Sequence, residues 1–150
     1  MSIERSKAAE HAFATLAEVG IEKFMSSDFR PGTVRRVVLT KYKKDVSEEL
    51  RRQSFLDTLN LKNICLRDGA PYIVSIEGGP QVNGQGYDAG YDYVFIATFK
   101  SEGDSNFYSG ASFVDPTKEE NKKHFDVTHF EYLLKVLPLL EGVIVTTFIA

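Results

Sequence analysis

Two kinds of hydrophobic spacing alternate along the chain. Four segments rich in β-branched and aromatic residues are predicted strands: residues 34–43, 72–77, 91–99 and 143–148. Within the first of these, successive side chains point to opposite faces. Arg36 shares its face with Val38 and Tyr42, while Val37 shares the other face with Leu39. Both faces of this strand are therefore apolar, and one of them carries a charge in its middle.

Longer segments have the 3.6-residue period of amphipathic helices. The predicted helices span residues 3–25, 45–64 and 128–140, with a shorter one at 101–109. Gly69 and Pro71 are expected to stop the second helix, and Pro138 is expected to bend or end the last one.

A glycine-rich stretch, residues 78–90, separates two of the predicted strands. It lacks the Gly-Lys-Ser/Thr ending of a phosphate-binding loop. We expect a loop that closes over a binding site as a lid.

From residue 34 onward the predicted order is strand, helix, strand, strand, helix, strand. This order is typical of an α+β, ferredoxin-like domain, whose antiparallel four-stranded sheet carries both helices on one face. Because the strands are apolar on both faces, the face without helices would be a large exposed patch. Packing against a second copy would cover it, so the pattern predicts a homodimer.

The chain thus divides into an N-terminal helical extension with its linker, residues 1–32, and the main domain, residues 33–150. We expect the extension to pack on the outside of its own sheet-helix unit, or across the dimer, through Phe13 and Leu16.

Composition narrows the classes of partner. The 150 residues are 43% hydrophobic and 26% charged with a net charge of −3, which gives no broad basic surface for nucleic acid. No apolar run approaches the length of a membrane span, and the charged N-terminus is unlike a secretory signal. The single cysteine, Cys65, cannot form an internal disulfide. We expect a cytoplasmic protein without a nucleic-acid or membrane partner.

The histidines offer no metal site. His11, His124 and His129 lack the spacing of metal ligands. Neither a metal nor another cofactor is therefore predicted.

Four stretches, in the same order and at compatible spacing, resemble the stress-responsive A/B barrel (Dabb) family: residues 34–43, 90–99, 126–129 and 139–145. The resemblance covers about residues 34–148 and implies a dimeric α+β barrel. The family includes olivetolic acid cyclase, a plant polyketide cyclase that performs an aldol condensation without a cofactor, as well as non-enzymatic stress proteins. The wider group of such barrels includes haem-degrading enzymes and cofactor-free monooxygenases.

His129 is the principal candidate for catalysis. It follows Asp126 by three residues at a predicted helix start, a spacing that lets the carboxylate orient the imidazole for general acid/base work. The alternative is a structural histidine, with Asp126 only capping the helix. The resemblance implies a catalytic pair, since His129 matches the last histidine of a family motif in which Val127 replaces a proline. A rival alignment places the motif at residues 114–118, where Lys118 would take the histidine position.

Arg36 is the candidate for binding a negatively charged group. A buried charge is costly unless it is paired, so Arg36 either anchors a ligand's carboxylate, phosphate or enolate or forms a salt bridge within the protein. The resemblance places Arg36 and Tyr93 where cyclase-like members have histidines, and so implies a catalytic role for Tyr93. Tyr42, Tyr72 and Tyr108 are candidate pocket residues that could donate phenolic hydrogen bonds, with core packing as the alternative.

These residues support two hypotheses. The first is a cofactor-free cyclase or isomerase acting on a polyketide or aromatic substrate, with His129 as the general acid/base. The second is a non-catalytic, stable stress protein that sequesters a small hydrophobic or aromatic ligand. A weaker alternative is a haem-related protein or a cofactor-free monooxygenase.

Overall fold

A computed structural model describes residues 5–150 of the chain. The helices are α1 Lys7–Val19, α2 Ile21–Met25, α3 Glu48–Ile64, α4 Glu102–Tyr108 and α5 Val127–Val136. The strands are β1 Pro31–Tyr42, β2 Leu66–Arg67, β3 Ala70–Pro71, β4 Ser75–Pro80, β5 Tyr93–Ser101 and β6 Leu140–Ile149. Short 3₁₀ turns lie at Gly110–Ser112, Glu119–His124 and Leu137–Leu139. No helix in residues 5–150 is both long enough and apolar enough to cross a membrane.

The main sheet has the order β4-β5-β1-β6, and every neighbouring pair of strands is antiparallel. Together with the helices that follow β1 and precede β6, this is the predicted ferredoxin-like α+β arrangement. In the register of the two central strands and the edge strand, Arg36 lies opposite Ala97 on one side and Thr147 on the other.

Alternation along β1 separates the two faces of the sheet. Val34, Thr40 and Tyr42 are buried on the face covered by α3 and α5, which is also the face of Arg36. The opposite face has an apolar middle, formed by Val37, Leu39, Val94, Ile96 and Ile144. Polar residues of the same face, Arg35, Thr98 and Thr146, lie next to it. Ile144 is 40% exposed.

Several boundaries differ from the sequence prediction, each for a local reason. The predicted start of the first helix at Ile3 lies outside the described residues, and the helix breaks at Gly20, whose φ of +85° is not helical. The last helix ends at Val136, because Pro138 occupies a 3₁₀ turn that leads directly into β6. The predicted strand at 72–77 begins only at Ser75.

The segment after α3 forms a small hairpin of β2 and β3 rather than a simple helix stop. Asp68 and Gly69, at its tip, both have positive φ, as the Asp-Gly pair of a tight hairpin turn requires. The glycine-rich stretch also contributes to a strand, since Gly78 and Gly79 belong to β4.

The N-terminal extension is part of the hydrophobic core. Phe24 and Met25 of α2 are each only 2% exposed and join the buried cluster that also contains Phe99 and Cys65. Leu16 packs partly buried against this cluster, and the Phe13 ring lies 5.2 Å from the Phe113 ring. The extension therefore packs on its own sheet-helix unit, through the two residues predicted to do so.

A buried ion pair ties α2 to α4. Asp104, fully buried in α4, accepts hydrogen bonds from Arg67 at 2.8 Å and from the Ser27 hydroxyl at 2.7 Å. Arg67 also donates to the Met25 carbonyl at the end of α2. Beside this pair, a Cβ placed on Gly103 would lie 1.6 Å from the Ser26 carbonyl oxygen.

The contact at Gly103 predicts a severe effect of the smallest side chain. Gly103→Ala should lower the free energy of unfolding by at least about 2 kcal/mol in urea denaturation, because α2 and α4 must separate to admit the methyl group. Gly79→Ala is the matched control, since a Cβ there meets nothing within 4 Å, and it should stay near wild type. Equal stability of the two variants would contradict the close packing of α2 on α4.

Candidate active site

A cavity of about 70 Å³ lies between the sheet and the two helices α3 and α5. Its walls are mainly apolar, with contributions from Val38, Ile76, Phe95 and Leu133. Its most exposed lining residues are Leu137, Val143 and Val145, at 45%, 44% and 43%, so the cavity opens toward β6. The polar residues that line it are Arg36, Thr40, Tyr42, Thr58, Tyr108, His129 and Tyr132.

Asp126 begins α5 as its N-cap. One carboxylate oxygen accepts the backbone N–H of His129 at 3.0 Å, and the other accepts the Tyr72 hydroxyl at 2.5 Å. Both oxygens are thus engaged, and neither bonds to the His129 imidazole. The structure favours the capping alternative for Asp126: this carboxylate holds the helix start but does not orient the ring.

The His129 ring is oriented instead by the backbone of α4. Its Nδ1 atom lies 2.6 Å from the Tyr108 carbonyl oxygen. Because a carbonyl can only accept, Nδ1 must carry a proton, and in the neutral ring Nε2 is then the unprotonated nitrogen. Nε2 has no hydrogen-bond partner within the described part of the chain, and His129 lines the cavity. The ring also stacks on Tyr108, with centroids 3.6 Å apart and planes at 12°.

Burial and the nearby Arg36 charge together set the protonation of this ring. They lower the pKa of His129 to about 3, so the imidazole is neutral near pH 7. The Arg36 guanidinium lies 5.5 Å from the centroid of the Tyr108 ring. Burial lowers the pKa of Arg36 as well, but an arginine remains protonated at neutral pH. The site therefore combines a neutral base with a fixed cation.

A second group of hydroxyls lies farther along the cavity. The Tyr42 hydroxyl donates to Ser54 at 2.9 Å, and the hydroxyls of Thr58 and Tyr132 are hydrogen-bonded to each other. The Thr40 hydroxyl is buried and has no partner among residues 5–150. Burial raises the pKa of Tyr132 to about 12, so this phenol stays protonated.

The structure brings four of the seven predicted site residues together around the cavity: Arg36, Tyr42, Tyr108 and His129. The other three, Asp126, Tyr72 and Tyr93, do not line it. Asp126 caps α5, as described above. Tyr72 is buried behind the site, with its ring 5.5 Å from Phe107 and its hydroxyl on Asp126. Tyr93 does not line the cavity, because it lies beyond its end, where its ring packs 5.7 Å from Tyr42 and 5.4 Å from Phe55.

The predicted lid is not at the cavity either. Loop residues such as Gln81 and Asp88 face a separate groove beside the start of α3, and Asp92 binds the backbone N–H of Tyr42. The loop is held there because it continues the β4–β5 hairpin, whose ends lie at that edge of the domain.

Sequence reasoning missed Thr40, Thr58 and Tyr132 as cavity residues. The position of two of them in the sequence could have predicted that they line the cavity. Thr40 shares the face of Arg36 on β1, and Tyr132 follows His129 by three residues on α5. Within residues 5–150 no group of three or more potential ligand side chains could hold a metal ion.

The lowered pKa of His129 predicts how stability depends on pH. An unfolded histidine binds a proton near pH 6.5, whereas the folded protein resists protonation there, so unfolding takes up a proton between about pH 6.5 and 3. The free energy of unfolding should fall by about 1.5 kcal/mol more between pH 6.5 and 5 in the wild type than in His129→Gln. The charged and titratable groups around the ring are Arg36, Tyr108 and Tyr132.

Urea denaturation at several pH values measures this difference. The offset between the two proteins at pH 8 reports lost packing alone, so only its change with pH reports titration. Parallel pH curves for wild type and His129→Gln would contradict a buried neutral His129.

Comparisons with known proteins identify the family of the chain. Residues 34–149 match the model of the stress responsive A/B barrel domain, whereas no curated protein matches the chain. Among solved structures the chain is similar to a hydroxynitrile lyase from Passiflora edulis, with a TM-score of 0.59 and 22% identity over 80% of this chain and 94% of that one. It is also similar to a protein from Arabidopsis thaliana, with a TM-score of 0.58 and 21% identity over 78% and 94% of the two chains.

A third similar structure is a dimeric ferredoxin-like protein of unknown function from Thermobifida fusca, with a TM-score of 0.54 and 14% identity over 82% and 96% of the two chains. Identities this low show a shared fold alone. The family model, by contrast, spans most of the sequence and includes every strand of the main sheet except the first three residues of β1. The protein therefore belongs to the stress responsive A/B barrel family.

Proposed function

We propose that this chain is a cofactor-independent enzyme of the lyase or cyclase type, in which His129 transfers a proton and Arg36 stabilises the negative charge that develops on the substrate. One observation carries the proposal. His129 and Arg36 line the same mainly apolar cavity, and the Tyr108 carbonyl fixes Nδ1 of His129, which leaves Nε2 as the unprotonated nitrogen.

The groups present suit a reaction that passes through an alkoxide or an enolate. His129 Nε2 would accept a proton from a hydroxyl or from a carbon next to a carbonyl. The resulting oxyanion would lie in a low-dielectric site near a permanent cation, where electrostatic stabilisation is strongest. The anion could then break a carbon–carbon bond, as a lyase does, or attack a carbonyl within the same molecule, as a cyclase does.

The volume of the cavity bears on the substrate. A space of about 70 Å³ is far smaller than the roughly 300–1,000 Å³ of typical sites for drug-sized ligands. It favours a small substrate, aliphatic or with one aromatic ring, over an extended polyketide, and it is too small for haem. The similarity in fold to a hydroxynitrile lyase is consistent with this preference.

A test begins with two substrates of the two reaction types. Purified protein would be incubated with an aromatic hydroxynitrile and, separately, with a short β-polyketide thioester, and the products followed by liquid chromatography and mass spectrometry. With either substrate, His129→Gln should lower turnover by about 10²- to 10⁴-fold, because the proton acceptor is lost. His11→Gln, a histidine outside the cavity, is the matched control and should keep wild-type turnover.

Two results would count against the enzyme hypothesis. Turnover that persists in a folded His129→Gln variant would remove the proposed base. Complete lack of turnover with both substrates, combined with binding of a small ligand, would instead favour the non-catalytic role in ligand sequestration.

The open face of the sheet is expected to pair with a second copy, and the similar structure from Thermobifida fusca is described as dimeric. Ile96 lies in the middle of this face on a central strand. Ile96→Glu should convert a dimer into a monomer in native mass spectrometry, since a charge would then be buried between two apolar sheets. Leu56→Glu, at an exposed apolar position on α3, is the matched control and should remain dimeric. A dimer that survives Ile96→Glu would place the interface elsewhere.

A further inference from the structure

Arg36 is a cation that has no ion-pair or hydrogen-bond partner among residues 5–150. Its neighbours across the sheet, Ala97 and Thr147, carry no charge. In residues 5–150 the salt bridges are those of Arg30, Arg67 and Lys122, and no hydrogen bond of Arg36 is formed with the protein. The guanidinium does lie over the face of the Tyr108 ring, 5.5 Å from the centroid.

Arg67, which like Arg36 is partly buried, shows the contrast. The Arg67 side chain is 16% exposed, and it is bound by the Asp104 carboxylate at 2.8 Å and by the Met25 carbonyl. Where the role is structural, the chain thus supplies a carboxylate and a carbonyl. At Arg36 it supplies neither, although the guanidinium cannot become neutral to relieve its burial.

We propose that the cavity binds a small organic acid whose carboxylate pairs with Arg36 and whose apolar part lies against Val38, Phe95 and Leu133. The inference rests on the proposed function for the location of the site, and it names the class of substrate or product that this site takes. A guanidinium presents donors in a planar fork that matches a carboxylate. The small side chain of Ala97, directly opposite Arg36, leaves room for that group.

The apolar walls of the cavity disfavour a purely inorganic anion as its ligand. Val38, Phe95 and Leu133 line the cavity next to the polar end, and an anion without an apolar part would leave them in contact with water. The buried Thr40 hydroxyl, four residues from Arg36 on the same face of β1, is free to bind a polar group farther along the ligand.

His129 provides a second, independent readout. A carboxylate on Arg36 would lie in the same cavity as the unprotonated Nε2, and two acceptors repel unless one takes up a proton. The bound anion would also offset the field of Arg36, which is one of the two causes that keep this imidazole neutral. Binding should therefore raise the pKa of His129 and draw a fraction of a proton from solvent onto Nε2, while Nδ1 stays on the Tyr108 carbonyl. The groups that face the ring are Arg36 from β1, Tyr108 from α4 and Tyr132 from α5.

The test compares butyrate with butyramide, which has nearly the same shape but no charge. Isothermal titration calorimetry on the full chain should show that butyrate binds at least tenfold more tightly than butyramide. Inorganic phosphate should bind more weakly than butyrate. Repeating the butyrate titration in buffers with different ionisation enthalpies should show proton uptake on binding.

Three variants assign the effect to Arg36. Arg36→Gln should weaken butyrate binding by about 10- to 100-fold and leave butyramide unchanged, as expected for the loss of a charged hydrogen-bond donor. Arg36→Lys should retain part of the preference for butyrate, which keeps the test valid if Arg36→Gln does not fold. Arg52→Gln, the same charge change at an exposed position on α3, should bind butyrate like the wild type.

The outcomes separate this inference from the enzyme hypothesis. Equal affinity for butyrate and butyramide, no butyrate binding by the wild type, or full butyrate binding in folded Arg36→Gln would each overturn it. Phosphate that binds as tightly as butyrate would overturn the role of the apolar part. Selective butyrate binding without any turnover would uphold the acid site while the enzyme hypothesis fails, and turnover without butyrate binding would do the reverse.

Discussion

A charged guanidinium on the helix-covered face of a central strand is the constraint around which this site is organised. Strand alternation leaves no choice of face, because Val34, Thr40 and Tyr42 must be buried and Arg36 shares their side of β1. The fold meets this constraint with an aromatic ring, a small residue opposite and a cavity, rather than with a carboxylate. A space that keeps the cation solvated or bound is therefore part of the architecture of the domain.

The residues between α4 and α5 determine how His129 is oriented in the cavity that it shares with this guanidinium. They lie between two of the stretches that resemble the family in the sequence, residues 90–99 and 126–129. The backbone N–H of Asp126 donates to the Phe107 carbonyl at 3.1 Å, and a Cβ on Gly110 would meet the His124 carbonyl oxygen at 2.6 Å. The end of α4 therefore packs closely against the start of α5. This contact brings the Tyr108 carbonyl to His129 and fixes its tautomer.

The parts of this arrangement that could be predicted from the sequence are those set by local periodicity. The strand alternation placed Arg36 with Tyr42, and the order of elements gave the ferredoxin-like sheet, because both depend on side-chain direction along a continuous segment. The role of Asp126 could not be predicted in this way. A spacing of three residues allows the carboxylate either to cap the backbone N–H of His129 or to bind its ring. The carboxylate oxygen that is left after capping binds Tyr72 instead of the ring, and Tyr72 is 54 residues away in sequence. The Tyr108 carbonyl is similarly remote from His129, and backbone acceptors leave no trace in the residue types.

The same guanidinium has opposite effects on the two steps that a proton-transfer reaction needs. It lowers the basicity of His129 when no anion is bound, because it would repel an imidazolium, and it stabilises an anion once one forms. The two effects are balanced only when the substrate carries or acquires negative charge, because that charge offsets the field at the ring. His129 would therefore become an effective base in the presence of such a substrate and remain a neutral hydrogen-bonded side chain otherwise. A site of this kind couples the binding of an anion to the uptake of a proton, which links the proposed acid ligand directly to the proposed chemistry.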